Sequence, residues 1–151
     1  YLGKGFYNEF GMDYALGFEA APIGGWFHKI GVGLLKTEDN KYHISKTYTV
    51  KPAKFKMTSK ADALLIECTS AILNGYGYAL KKEIVLEDTV FTVRYSLDNT
   101  VEKDIITDEY AHNITAINKA PIGSNDLLKF PFESWNCGIE VIIFLIKVSD
   151  R

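Results

Sequence analysis

The chain has 151 residues, 47% of them hydrophobic and 24% charged, with a net charge of -2 at neutral pH. That length supports one domain with a core, burying about 68–70% of the surface the unfolded chain exposes. The balance excludes disordered and collagen-like classes. Interspersed lysines and acids without a basic patch predict no nucleic-acid partner. The longest apolar run, Val141–Ile146, falls far short of the roughly 20 residues a bilayer span needs, so no membrane partner is expected. Two cysteines, Cys68 and Cys137, exclude a disulfide framework and a cysteine-based zinc site. Cys68 reads as a small buried thiol, and a single disulfide stays open. The chain begins at Tyr1 with no signal pattern, which leaves the compartment open between cytoplasm and periplasm.

Tyr1–Gly25 is rich in glycine and aromatic residues and reads as irregular or short-strand, ending in the turn Pro22-Ile23-Gly24-Gly25. Its acids Glu9, Asp13 and Glu19 read either as solvated loop carboxylates or as a polar site framed by rings. Trp26–Lys36 is expected as one strand, Ile30, Val32 and Leu34 alternating with Lys29, Gly31 and Gly33; the glycines point to close backbone approach or a bend. Tyr42–Val50 alternates cleanly and is expected as a strand ended by Lys51-Pro52. Met57 and Lys60 lie in polar surroundings. Ala63–Thr69 is a further strand, with Leu64, Ile66 and Cys68 on one face, and Asn74-Gly75-Tyr76-Gly77 is a turn.

The most informative stretch runs from Tyr78 to Asn118. Tyr78–Leu86 sets Lys81 and Glu83 against Leu80, Ile84 and Leu86; Thr89–Asn99 sets Phe91, Val93, Tyr95 and Leu97 against Thr92, Arg94, Ser96 and Asp98. A period of two over these lengths predicts half-buried strands, joined through Glu87-Asp88 as a hairpin. The chain then turns through Thr100–Lys103, extends over Asp104–Thr107, and delivers Tyr110-Ala111-His112-Asn113 at the end of an element. A histidine on a rigid strand is well placed for chemistry. Farther on, Leu127–Glu133 reads as an edge strand because of Pro131. Ile139–Val148 reads as a strand buried on both faces, which another chain could pair with or cover. Eight or nine strands with turn signals between them, and no helical period of ten residues, predict an all-β antiparallel sandwich or barrel.

Three histidines are present. His43, on a polar strand face, reads as a surface residue. His28, beside Trp26 and Phe27, reads as a core or rim histidine packed on aromatics, or as a partner for a sugar hydroxyl. His112, after Asp108-Glu109-Tyr110, reads as a turn histidine satisfied by a carboxylate or as a positioned acid. No metal-ligand spacing, nucleophile elbow, phosphate loop or dinucleotide fingerprint is present, so no metal or cofactor is expected.

Asn99-Thr100, the charged turn, Ile105–Thr107, Tyr110-Ala111-His112-Asn113 and Ile117-Asn118 together resemble the aldose 1-epimerase, or galactose mutarotase-like, family. Asn8-Glu9-Phe10-Gly11 and Phe27-His28-Lys29-Ile30-Gly31-Val32-Gly33 look like its more divergent bacterial branch. The resemblance implies a β-supersandwich, of which this single domain over residues 1–151 would be the N-terminal part and incomplete. It implies a small-molecule sugar ligand, with His112 as general acid at the ring oxygen and Asn8, Glu9, His28 and Asn113 contacting substrate. The family's base is a glutamate far downstream of the histidine; here Glu133 and Glu140 are the only later glutamates, and neither has a family-like context. The family also holds substrate with an arginine before the histidine; here the only arginines are Arg94, on a strand's polar face, and Arg151. Two other readings stand beside this one. One is a non-catalytic carbohydrate-binding sandwich with Trp26, Tyr76 and Trp135 as a stacking platform. The other is an interaction domain that pairs through Ile139–Val148.

Overall fold

A computed structural model of the chain describes the backbone of residues 5–88, 90–114, 116, 117, 120 and 121, and the side chains of residues 8–88 and 92–111. The described residues are all-β, with no helix among them. They fall into two compact units, one of residues 5–8 with those from 111 onward, the other of residues 9–110. Eleven strands are described, more than the eight or nine expected, because several are only two or three residues long. The expected strands Leu127–Glu133 and Ile139–Val148, with Trp135 and Cys137, lie outside the described residues.

Strands β1 (Gly5–Phe10), β2 (Trp26–Lys29), β3 (Gly33–Lys36) and β4 (Val50–Pro52) come first. The run Trp26–Lys36 is therefore not one strand but the hairpin β2–β3, with Lys29 opposite Gly33 and Trp26 opposite Lys36. The glycines decide this. Gly31 has φ of 76° and Gly33 φ of 142°, conformations that a residue with a Cβ adopts only under strain. A Cβ on Gly33 would sit 2.3 Å from the Lys51 carbonyl oxygen, since β4 passes directly against it.

Only Val50, the last residue of the expected strand Tyr42–Val50, belongs to a strand. The alternation is real, for Tyr42, Ile44, Lys46 and Tyr48 are half-buried between exposed neighbours. A turn closed by Lys46 N–H on the His43 carbonyl interrupts the run, and the Lys46–Asp39 ion pair ties it to the preceding bend. Side-chain alternation thus records a buried face, and a ladder needs a backbone neighbour as well.

Strands β5 (Phe55–Ser59), β6 (Ala63–Thr69), β7 (Tyr78–Glu87) and β8 (Val90–Asn99) form a four-stranded antiparallel sheet in sequence order. Its register separates two faces. Phe55, Cys68, Leu80 and Leu97 make one row on the apolar face, and Ser59, Leu64, Ile84 and Val93 make another. The opposite face carries Lys56 against Glu67 at 3.6 Å and Arg94 against Glu83 at 3.4 Å. The β7–β8 turn is displaced from expectation: Glu87 still belongs to β7 and pairs with Val90, and Asp88 takes φ of 53°. Leu86, expected on the apolar face, is 55% exposed beside this turn.

The core of the larger unit packs Cys68, Tyr78, Leu80 and Tyr95 of the sheet against Phe10, Leu16 and Ile30. Burying each large apolar side chain contributes about 1.5–3 kcal/mol. Cys68 is a free buried thiol. The turn before β7 has Asn74 at φ 53° and Gly75 at φ 81°, closing reciprocal Leu73–Tyr76 backbone bonds of 2.9 Å. Two successive left-handed residues are what a two-residue hairpin turn requires.

Candidate functional site

After β8 the chain is steered by its own polar side chains. Asn99 donates through Nδ2 to the Lys103 carbonyl at 3.0 Å and accepts from Val101 N–H at 3.1 Å, which sets the turn. The chain reaches Asp108 without a ladder. There the carboxylate accepts from the backbone N–H groups of Met12 at 2.8 Å and of Asp13 and Tyr14 at 3.3 Å. The Asp108 carbonyl accepts from Gly11 N–H at 2.9 Å. These bonds fix where β9 (Glu109–Ile114) starts relative to the end of β1, and the two strands form a two-stranded sheet. Short strands β10 (Ala116–Ile117) and β11 (Ala120–Pro121) pair beyond it.

Tyr110-Ala111-His112-Asn113 therefore lies inside a strand and not at an element's end. The side chains of His112 and Asn113 lie outside the described residues. Asn8, half-buried, is on β1, so β1–β9 pairing brings the strand bearing Asn8 beside the strand bearing His112 and Asn113.

Glu9 is engaged by a buried lysine. Lys29, expected on a polar face, is only 5% exposed and places its ammonium 3.0 Å from the Glu9 carboxylate. It also donates to the Gly11 carbonyl at 2.9 Å and to the Tyr42 hydroxyl at 3.4 Å, while Tyr42 donates to the same carbonyl at 2.7 Å. A buried ammonium is tolerated only with such partners. Burial, with Tyr48 and the nearby carboxylates, pushes the Tyr42 phenol above its ordinary pKa. Around it Phe18, Phe27, Tyr42 and Tyr48 pack ring on ring, Phe27 fully enclosed and edge-on to the other three at 5.1–5.8 Å.

His28 has no exposed surface and meets the Tyr78 ring edge-on at 5.7 Å. In this conformation it is a core residue that presents nothing to a ligand, the bland alternative of the two the sequence offered. Burial lowers its pKa below 6.5. The Leu73 and Tyr76 backbone pulls the other way, but among the described residues neither ring nitrogen has a partner at hydrogen-bond geometry. Burial is the larger influence and favours the neutral ring. His43 is exposed, as expected.

Tyr76 is a poor stacking platform, since the Lys103 ammonium sits 4.0 Å over its ring centroid. Trp26 spends its backbone carbonyl on Asn74, whose Nδ2 also reaches the Gly17 carbonyl. Sequence reasoning overlooked Lys29, Asp108 and Lys82. Lys82 did carry a signal: it falls between Leu80 and Ile84 at the apolar spacing, yet it is charged. No family model, curated protein or solved structure matches the chain.

Proposed function

We propose that the chain is a carbohydrate-active, aldose 1-epimerase-like protein that acts on a hexose, with His112 as general acid. The observation that supports this reading is the β1–β9 pairing, which makes neighbours of two sequence blocks from opposite ends of the described chain. Asn8 comes from one block, His112 and Asn113 from the other. Histidine as a residue type ordinarily titrates close to neutral pH, as an acid in proton transfer requires.

In this reading His112 gives its proton to the ring oxygen as the C1–O5 bond breaks. In the family the chain resembles, a glutamate on the opposite side takes the proton of the anomeric hydroxyl, leaving the open-chain aldehyde; no residue of this chain is assigned that role. Rotation about C1–C2 and closure in reverse deliver the other anomer. Asn8 and Asn113 hold hydroxyl groups of the sugar.

Non-catalytic sugar binding is the second reading. It is favoured by Glu9: the carboxylate beside Asn8 on β1 is committed to Lys29 and is not a free base. Two-dimensional exchange NMR on D-glucose and D-galactose separates the two. Faster anomer exchange that His112→Ala abolishes supports the enzyme. Binding with exchange at the buffer rate supports the module.

A further inference from the structure

Strand β5 is an edge of the four-stranded sheet, and among the described residues β6 is its one strand neighbour. From Val50 to Asp62 every residue except Ala53 is exposed. The hydrogen bonds around β6 show which backbone groups of β5 are unspent. Lys60 N–H donates to the Ala63 carbonyl at 2.8 Å, so that pair is bonded across the hairpin. Bonded and non-bonded pairs alternate in an antiparallel ladder. By the register, Thr58 with Leu65 and Lys56 with Glu67 are then the bonded pairs of β5 and β6. The other side of β6 agrees. Leu86 N–H reaches the Asp62 carbonyl and Ser70 N–H the Tyr78 carbonyl, so Leu64, Ile66 and Cys68 turn their backbone groups to β7. The N–H and C=O groups of Phe55, Met57 and Ser59 therefore point away from the sheet.

The side chains alternate in step. Phe55 is 44% and Met57 69% exposed at the rim of the apolar face. Lys56 and Lys60 lie on the opposite face, and Lys54 immediately precedes the strand. Glu67 is 3.6 Å from Lys56, while Lys54 and Lys60 make no ion pair among the described residues.

Lysines on an open edge deter pairing with identical edges. A guard of that kind does not need two large apolar side chains standing in water beside unspent backbone groups. We propose that β5 is a docking edge for an extended acidic segment of another protein, which adds to the sheet as a further antiparallel strand. Its backbone bonds the outward groups of Phe55, Met57 and Ser59. Its apolar side chains lie beside Phe55 and Met57, and its alternate carboxylates meet Lys54, Lys56 and Lys60. Charge selects this occupant over a second copy of the chain. Two β5 strands paired about Met57 would set Lys54 of each copy against Lys60 of the other, and like charges directly opposite repel. The edge uses none of the residues assigned to ring opening and does not depend on that reading.

The test uses the whole chain and capped synthetic peptides of about eight residues, one alternating glutamate with valine and one alternating lysine with valine. In the free protein the amides of Phe55, Met57 and Ser59 should exchange with solvent faster than those of Lys56, Thr58 and Lys60. Outward amides already protected would mean that the edge is occupied, by the chain itself or by a second copy, and would overturn the proposal. NMR titration should show saturable binding of the glutamate peptide, with shifts centred on β5, and none of the lysine peptide. Met57→Pro removes one outward N–H and leaves the bonded pairs to β6 intact, a place where an edge strand tolerates proline. It should weaken the glutamate peptide about tenfold or more while Lys56 and Thr58 stay protected. Replacing Lys54, Lys56 and Lys60 together by glutamate should reverse the preference to the lysine peptide. Absence of saturable binding by the glutamate peptide overturns the proposal. So does binding that Met57→Pro leaves unchanged, which would be charge attraction without strand addition, or a preference that the triple replacement does not reverse.

Discussion

Two regions of the larger unit are held in different ways. The sheet β5–β8 is held by long antiparallel ladders, each strand contributing many equivalent bonds. The segment from Gly11 to Thr49 has only the short β2–β3 hairpin, and its shape comes from a few groups that each do several jobs. The Gly11 carbonyl accepts from both Lys29 and Tyr42, the Asp108 carboxylate gathers three N–H groups, and Asn74 spans Gly17 and Trp26. Redundant bonds spread the cost of one lost contact, whereas shared groups concentrate it. Substitutions in the glycine-rich segment should therefore be severe, and those on the charged face of the sheet mild.

The largest effect is expected at Gly33. Gly33→Ala would put a Cβ 2.3 Å from the Lys51 carbonyl oxygen and 2.6 Å from the Ala53 nitrogen, both backbone atoms unable to swing away. With the strained φ added, the loss should exceed about 3 kcal/mol in urea unfolding. A loss below about 1 kcal/mol would mean that the β2–β3–β4 packing is looser than described.

His28 should give a smaller, pH-dependent effect. Its pKa in the folded chain is depressed below the ordinary 6.5. Below that pH the unfolded chain binds the proton more readily than the folded one. Stability should hold above pH 6.5 and fall as the pH drops through and below it, by at most about 1.4 kcal/mol per unit from this group. His28→Phe keeps an aromatic edge for Tyr78 and removes two unpaired nitrogens. The unfolding free energy of the variant, measured from about pH 5 to 7, should lose that part of the slope. An unchanged slope would place the titrating group elsewhere.

The smallest effect is expected on the sheet's charged face. Arg94 and Glu83 are each nearly half exposed at 3.4 Å, and such pairs contribute about 0–1 kcal/mol before screening by salt. Arg94→Ala should change stability by under about 0.5 kcal/mol. A loss approaching that of Gly33→Ala would erase the contrast between the two regions.

The same contrast governs what could be read from residues alone. β6 over Ala63–Thr69 was legible to the residue, and β7 and β8 nearly so, because each has one apolar and one polar face. β5 was not, since all five of its residues are exposed and its pairing with β6 leaves no burial pattern. The Trp26–Lys36 break hung on Gly31 and Gly33, where the sequence allowed a bend without saying that β4 would press against it. Tyr42–Val50 showed true alternation but lacked a neighbour to pair with. At the candidate site, His112 was legible as a strand histidine, though its strand runs on past it. That Glu9 would be claimed by Lys29 was hidden, because a lysine in an alternating run ordinarily faces water.

Anomer exchange in D-galactose, followed by two-dimensional NMR with the intact chain and with His112→Ala, tests the sugar chemistry most directly. Interconversion well above the buffer rate is expected with the intact chain, and at the buffer rate with the variant. Equal rates in the two, whether both fast or both at the buffer level, would contradict that chemistry.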